Sequence, residues 1–275
     1  MFRRSRTSFI EKTLQHIVNA VEETVFAEAT AMRRGLLQGI DAHVKLAGIV
    51  ALIVSAIMIR RIDALAALFL LAIIFALASN ISLTIIARRV WLPVLLFTAA
   101  IALPAIFLVP GSAVLRLPVL GWPITLQGLV SAAILMLRTE SASTLAVLLV
   151  MCTRWNHLFR ALRFFRLPRT AVLILEMTYR YAFVLMRTSQ DMFEARSARV
   201  IGAFEASEQR RLTAGTVGVL LDKSLQLSMD VETAMQARGF RGEINLLNDF
   251  RFGGSQAIQL TFFLAIASAF IWLGR

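Results

Sequence analysis

A chain of 275 residues that is 58% apolar, carries a net charge of +12 and holds one cysteine lies far from the make-up of a soluble domain, which is typically ~45–50% apolar. With a mean hydropathy of +0.72, it excludes a soluble globular protein, an internal disulfide and any multi-cysteine metal site. The apolar residues form continuous runs too long for buried strands and without the alternation of a membrane barrel, which predicts an all-α integral membrane protein.

The N-terminal region, residues 1–43, is polar, with no short apolar core and cleavage site of a signal peptide. Within it, Ile10, Leu14, Ile17, Val18, Val21 and Val25 recur at helical spacing, while Glu11, Glu22, Glu23 and Glu28 take other positions. This predicts an amphipathic helix over 9–40, too polar to span and suited to a membrane surface.

Residues 44–153 contain four predicted spans, at 44–59, 64–86, 91–109 and 128–151. The first is short for a ~30 Å hydrocarbon core and is expected to gain length by snorkelling of Lys45 and Arg60. Arg60-Arg61-Ile62-Asp63 separates it from the second, and Arg88-Arg89 interrupts before the third. Pro93 near the start of the third span is tolerated, and Pro104 is expected to kink it. Pro110, Gly111, Pro118, Gly121 and Pro123 make 110–127 a turn-rich loop.

Residues 154–252 hold no uncharged apolar run long enough to cross. Arg154, Arg160, Arg163 and Arg166 alternate with Trp155, Leu158, Phe159, Leu162 and Phe165, the pattern of a basic amphipathic helix at the membrane surface. Leu167-Pro168 ends it. A long helix is predicted over 170–200, its apolar stretches broken by Glu176, Arg180 and Arg187. A second is predicted over 212–238, stopping at Gly239 as a C′ residue in the left-handed region. Gly253-Gly254 is a hinge, and within 253–275 the fifth span covers 256–273.

Of the 29 basic residues, 15 lie between 154 and 251. The positive-inside rule makes that segment, and with five spans the N-terminus, cytoplasmic; Arg60 and Arg61 fall on the wrong side of this scheme. Anionic head groups are the natural counter-charge, so nucleic acid is not expected as a partner.

Two short runs stand out, Ala195-Arg196-Ser197 and Ala237-Arg238-Gly239, each a small-Arg-small triplet at the end of a helical stretch. A cation in a last turn offsets the macrodipole by ~0.3–1 kcal/mol. Small neighbours also let a guanidinium protrude into a carboxylate- or carbonyl-lined groove, and the repetition favours this partner-contact reading. Arg138 and Glu140 lie inside the fourth span, where a charge costs ~3 kcal/mol or more. They are expected to be buried in pairs, with each other, Asp63 or Glu176, or to meet a partner; at spacing i, i+2 an interhelical partner is favoured. His16, His43 and His157 lack ligand spacing, so no metal site is expected. No Gly-x-x-x-x-Gly-Lys-Ser/Thr run occurs, and the chain is not expected to be an enzyme or to hydrolyse ATP.

Ala195-Arg196-Ser197 and Ala234-Met235-Gln236-Ala237-Arg238-Gly239-Phe240 resemble the two motifs of the transmembrane T component of energy-coupling factor (ECF) transporters. Asp41-Ala42-His43-Val44-Lys45-Leu46 resembles the family's Asp-Pro-Arg-x-Lys-Leu lead-in to the first span. Leu167-Pro168-Arg169 with Tyr179-Arg180 resembles its Leu-Pro-x and Tyr-Arg stretch. The resemblance covers roughly 41–273 and departs at Ala42, His43 and Ser197, where Pro, Arg and Gly are usual. Length and the N-terminal helix are more like the cobalt/nickel Q-type members than the shared vitamin-type T component, and the cargo the resemblance implies is cobalt, nickel or a vitamin.

The resemblance implies a non-catalytic subunit in a bacterial inner membrane whose two Arg-tipped coupling helices dock on two ABC-type ATPases. The same helices hold a substrate-binding S component, and ATP stays with the ATPases, leaving this chain without a cofactor. Alternatives are a complete ABC permease with its own substrate path, or a membrane scaffold without ATPase coupling.

Overall fold

The apolar runs fold as helices whose ends are tied by polar contacts. The structure, a computed structural model, describes residues 31–32, 35–108, 113–116, 123–162, 167–198, 206–240 and 253–275. These form two units: one of the described residues up to 161 together with 253–275, the other of those between 162 and 240.

The first unit is a helical bundle. α1 (Ala42–Met58) and α2 (Ile62–Ala78) are joined at Ile59–Arg61. α3 (Leu83–Ile86), a π-helical turn (Ala87–Trp91) and α4 (Leu92–Leu108) run on as one helix. A small antiparallel hairpin, β1 (Ala113–Arg116) and β2 (Pro123–Thr125), precedes α5 (Leu126–Met151), with Ala113 opposite Thr125. The short α6 (Trp155–Ala161) follows; the last helix is numbered α9 (Gly254–Gly274), because α7 and α8 belong to the second unit.

Hydrogen bonds fix the helix directions. Leu36 N–H donates to the Ala78 carbonyl, Lys45 to that of Cys152, and Gln256 to the Asp41 carboxylate. The starts of α1 and α9 and the ends of α2 and α5 therefore share one end of the bundle. At the other end, Arg60 N–H donates to the Gly274 carbonyl. Trp91 meets Thr144, and Thr98 meets Thr139, so α4 runs antiparallel to α5. Among the described residues of this unit, the helices thus run the length of the bundle five times in alternating sense.

Three of these helices are long and apolar enough to cross a bilayer: Leu83–Pro104, Leu126–Met151 and Gly254–Gly274. α1 and α2, equally apolar, have 17 residues each, or ~25 Å of helix. α1 packs on α5, α6 and α9, and Ile49, Leu52, Leu65, Leu68, Leu145 and Leu148 are completely buried. A Cβ on Gly48 would lie 2.5 Å from the Phe263 ring, and one on Gly274 2.7 Å from Ile59, so α1 and α9 meet as closely as small residues allow.

Several boundaries differ from the sequence expectation. The second span ends at Ala78, not 86, and the third starts at Leu83, so Arg88-Arg89 lies inside a helix. The turn at 79–82 carries no Gly or Pro; it is set by Asn80 at φ 53° and by residues 35–38 docking on Ser79, with Gln38 Nε2 donating to the Ser79 carbonyl at 3.0 Å. Those docked residues are turns rather than the end of a 9–40 helix, whose earlier part lies outside the described residues. Lys45 does not snorkel: it is 2% exposed and turned inward. The π turn has a local cause. Pro93 has no N–H for the Arg89 carbonyl, and the ladder slips one residue, with Leu92 N–H bonding the Ala87 carbonyl. Pro104 lies inside α4.

The second unit comprises α7 (Arg169–Ser197) and α8 (Ala206–Ala237), which touch. α7 matches the predicted 170–200 helix. α8 begins six residues before the predicted 212, because Ser207–Arg211 are helix-compatible without being apolar. α7 buries Val172, Ser189 and Phe193. α8 leaves Val217, Val219, Leu221, Leu225 and Met229 each at least half exposed.

Candidate functional site

Arg238 occupies the tip of α8, and its local chemistry is that of a Schellman cap. Phe240 N–H bonds the Met235 carbonyl at 3.0 Å and Gly239 N–H the Gln236 carbonyl at 2.9 Å. Gly239 has φ +86°, the left-handed value that a Cβ would strain. The motif fixes the backbone on both sides of Arg238, whose side chain is exposed between exposed Ala237 and Gly239. A guanidinium on a closed, rigid helix end can enter a groove without first ordering its own backbone.

Arg196 lies inside the last turn of α7, before Ala198, whose N–H bonds the Glu194 carbonyl at 3.0 Å. Ala195 is exposed, and the side chains of Arg196 and Ser197 lie outside the described residues.

In the bundle, the Asp41–Leu46 stretch has its own geometry. Asp41 stands at the N-cap of α1 without capping it. Its carboxylate accepts from Gln256 Nε2, while Gln256 Oε1 accepts from Gly253 N–H at 2.8 Å, the start of α9. One turn on, Lys45 Nζ donates to the Cys152 carbonyl, the C-cap of α5, at 2.8 Å. The arrangement is reciprocal: Arg138 of α5 donates from Nη2 to the Ile59 carbonyl, the C-cap of α1, at 2.7 Å. Each helix supplies the cation that closes the other's C-terminus, where free carbonyls and the macrodipole favour positive charge. Sequence reasoning missed Gln256; its signal was the polar Ser255-Gln256 pair at the head of an apolar run.

Of the alternatives open for Arg138 and Glu140, a mutual pair is absent among the described residues, and Arg138 has the interhelical partner the spacing favoured. Two residues apart on a helix, they point in different directions. Asp63 pairs with Arg61 at 3.2 Å instead. Glu140 is buried with neither carboxylate oxygen hydrogen-bonded among the described residues, and Arg138 Nε is likewise without a partner.

His43 and His157, 114 positions apart in sequence, lie near each other at the Lys45 end, where His43 bonds the Arg160 backbone. His16 lies outside the described residues. Among those described, no three His, Cys, Asp or Glu side chains converge on a metal position. Burial first, then Arg154, Arg160 and Lys45, push the His157 imidazolium down from its usual range, with Asp41 opposing. A lowered folded-state value means that the unfolded chain takes up the proton first as pH falls through ~6.5. Stability contributed by neutral His157 is therefore full above that pH and lost below it. The melting temperature of the detergent-purified chain should fall between pH 7.5 and pH 5.5, and His157→Gln should flatten part of that slope. An identical slope in the variant would refute the assignment.

The family model of the cobalt transport protein CbiQ matches residues 34–247. The uncharacterized protein MJ1571 of Methanocaldococcus jannaschii is 30% identical over 239 residues, covering 85% of this chain and 81% of the relative. The cobalt transport protein CbiQ of Rhodobacter capsulatus is 31% identical over 170 residues, 61% of this chain and 68% of that protein. With its alternating apolar helices and a family match over most of its length, this multi-pass membrane protein belongs to the CbiQ cobalt transport protein family.

Proposed function

We propose that this chain is the energy-coupling transmembrane subunit of an ECF-type ABC importer that takes up cobalt or nickel. In this reading α7 and α8 are coupling helices. Arg196 and Arg238 anchor in grooves of two ABC-type ATPase subunits, and Ala195, Ser197, Ala237 and Gly239 permit close approach. The exposed apolar residues of α7 and α8 hold a small substrate-binding S component, which selects the ion. ATP is held by the ATPases, and the chain is not itself an enzyme. Nucleotide-driven closure moves the helix tips, and the motion is passed on to the S component.

The observation that carries the reading is Arg238: an exposed guanidinium at a rigidly capped end of a 32-residue helix whose apolar side chains stay uncovered. A helix of that length left exposed needs a partner surface to hold it. A location in the cytoplasmic membrane, with N-terminus and tips inside, is supported by the 15 of 29 basic residues between 154 and 251.

Tagged chain purified from its native membrane should co-elute with two ATPase copies and a small membrane protein, and should hydrolyse no ATP alone. Uptake by the chain in proteoliposomes without ATPases would overturn the reading in favour of a permease with its own path.

A further inference from the structure

The third span has two features that coupling does not use. One is the π turn carrying exposed Arg88 and Arg89. The other is an open groove of about 600 Å³ beside it, lined by Trp91, Leu92, Leu95, Leu96, Ala99 and Leu103. Positions 88, 92, 95, 96, 99 and 103 follow one helical stripe, so Arg88 stands at the head of the groove, one turn before Leu92.

The groove wall is fixed. The Trp91 indole N–H donates to Thr144 Oγ1 at 2.9 Å, and its ring rests on Phe69 with centroids 5.4 Å apart. The one polar atom of that wall is thereby engaged. Ala99 and Ala100, among leucines, make the concavity.

We propose that this face is a binding site for an anionic phospholipid. Its phosphodiester would meet the Arg88 guanidinium, with Arg89 adding positive potential, and an acyl chain would lie along Leu92–Leu103. Charge complementarity selects the occupant. No Asp or Glu occurs between Asp63 and Glu140, so this stretch of chain supplies no carboxylate to the site. A guanidinium fork matches a phosphate oxygen pair. Basic residues in the first turns of a spanning helix recruit anionic head groups, and tryptophan sits at head-group depth. An uncharged partner helix would fill the apolar stripe and make no use of the Arg88 charge.

The test is lipid retention by the detergent-purified full chain, read by native mass spectrometry with dioleoylphosphatidylglycerol and dioleoylphosphatidylcholine. Wild type should retain phosphatidylglycerol roughly tenfold better. Arg88→Gln with Arg89→Gln should bring the two lipids to parity, while the Lys pair at both positions keeps most of the preference. Ala99→Phe, which fills the groove without touching charge, should lower retention of both lipids. Equal retention by wild type, or undiminished phosphatidylglycerol in the Gln pair, would overturn the proposal. Should the Gln pair fail to fold, the wild-type comparison and Ala99→Phe still decide. Displacement of phosphatidylglycerol by inorganic phosphate alone would also overturn it, because a head group and not a lipid would then be the ligand.

Discussion

Arg238→Glu should strip the ATPase subunits from the purified complex while leaving the chain folded. Arg238 is exposed and holds its place through backbone contacts of a Schellman cap, which any side chain at that position retains. For the isolated chain the change only places an anion at a helix C-terminus, costing ~0.3–1 kcal/mol. At a docking groove the same change removes a charge-assisted contact and introduces repulsion, which costs ~2–5 kcal/mol or more when the group is desolvated. The binding effect therefore dominates, and co-eluting ATPase should fall at least ~30-fold. Arg238→Ala should lose less, since it removes attraction without adding repulsion. Arg196→Glu should act through the other ATPase copy. Wild-type assembly and ion uptake in Arg238→Glu would end the coupling reading without affecting the family assignment.

Gly48→Leu should strongly destabilise the bundle. A Cβ at position 48 lies 2.5 Å from Phe263 Cγ and 2.8 Å from its Cβ. The ring has little room to swing: it is 3% exposed and packs on Phe75 with centroids 6.0 Å apart. Overpacking of a fixed core costs ~1–3 kcal/mol, and a contact this short takes the upper part of that range or beyond. Because α1 and α9 are tied at both ends, by Asp41–Gln256 and by Arg60–Gly274, they cannot separate without breaking both contacts. The melting temperature of the detergent-purified chain should drop sharply. Phe263→Ala in the Gly48→Leu background should restore much of it by returning the volume. A Gly48→Leu variant that melts with wild type would show that the two helices do not meet closely here.

The proposed lipid site and the coupling tips make separate demands, so their tests separate as well. Arg88 and Arg89 belong to the bundle, whereas Arg238 belongs to the other unit. Loss of lipid preference with intact ATPase binding, or the reverse, would sustain one proposal and not the other.

What could be read from the sequence is what a single segment determines. The length and continuity of apolar runs predicted spans at 128–151 and 256–273, and the structure has Leu126–Met151 and Gly254–Gly274. Gly239 after a periodic stretch predicted a left-handed C′, and φ is +86°. The Arg196 and Arg238 triplets were visible because their signal is local: a cation, small neighbours and a helix end.

Tertiary structure decided where buried charges found partners and where the chain turned. The cost of Lys45 and Arg138 in an apolar setting is plain from composition. Which carbonyl relieves it is not, because the partners lie 107 and 79 positions away, at the C-caps that only antiparallel packing of α1 and α5 brings into reach. The turn at Ser79-Asn80 carries no Gly or Pro; Asn80 enters the left-handed region there and residues 35–38 dock on it. Hydrophobic periodicity and capping act over a few residues and are written in the chain. Satisfying a buried polar group depends on which helix ends meet, and that is settled only when the helices pack.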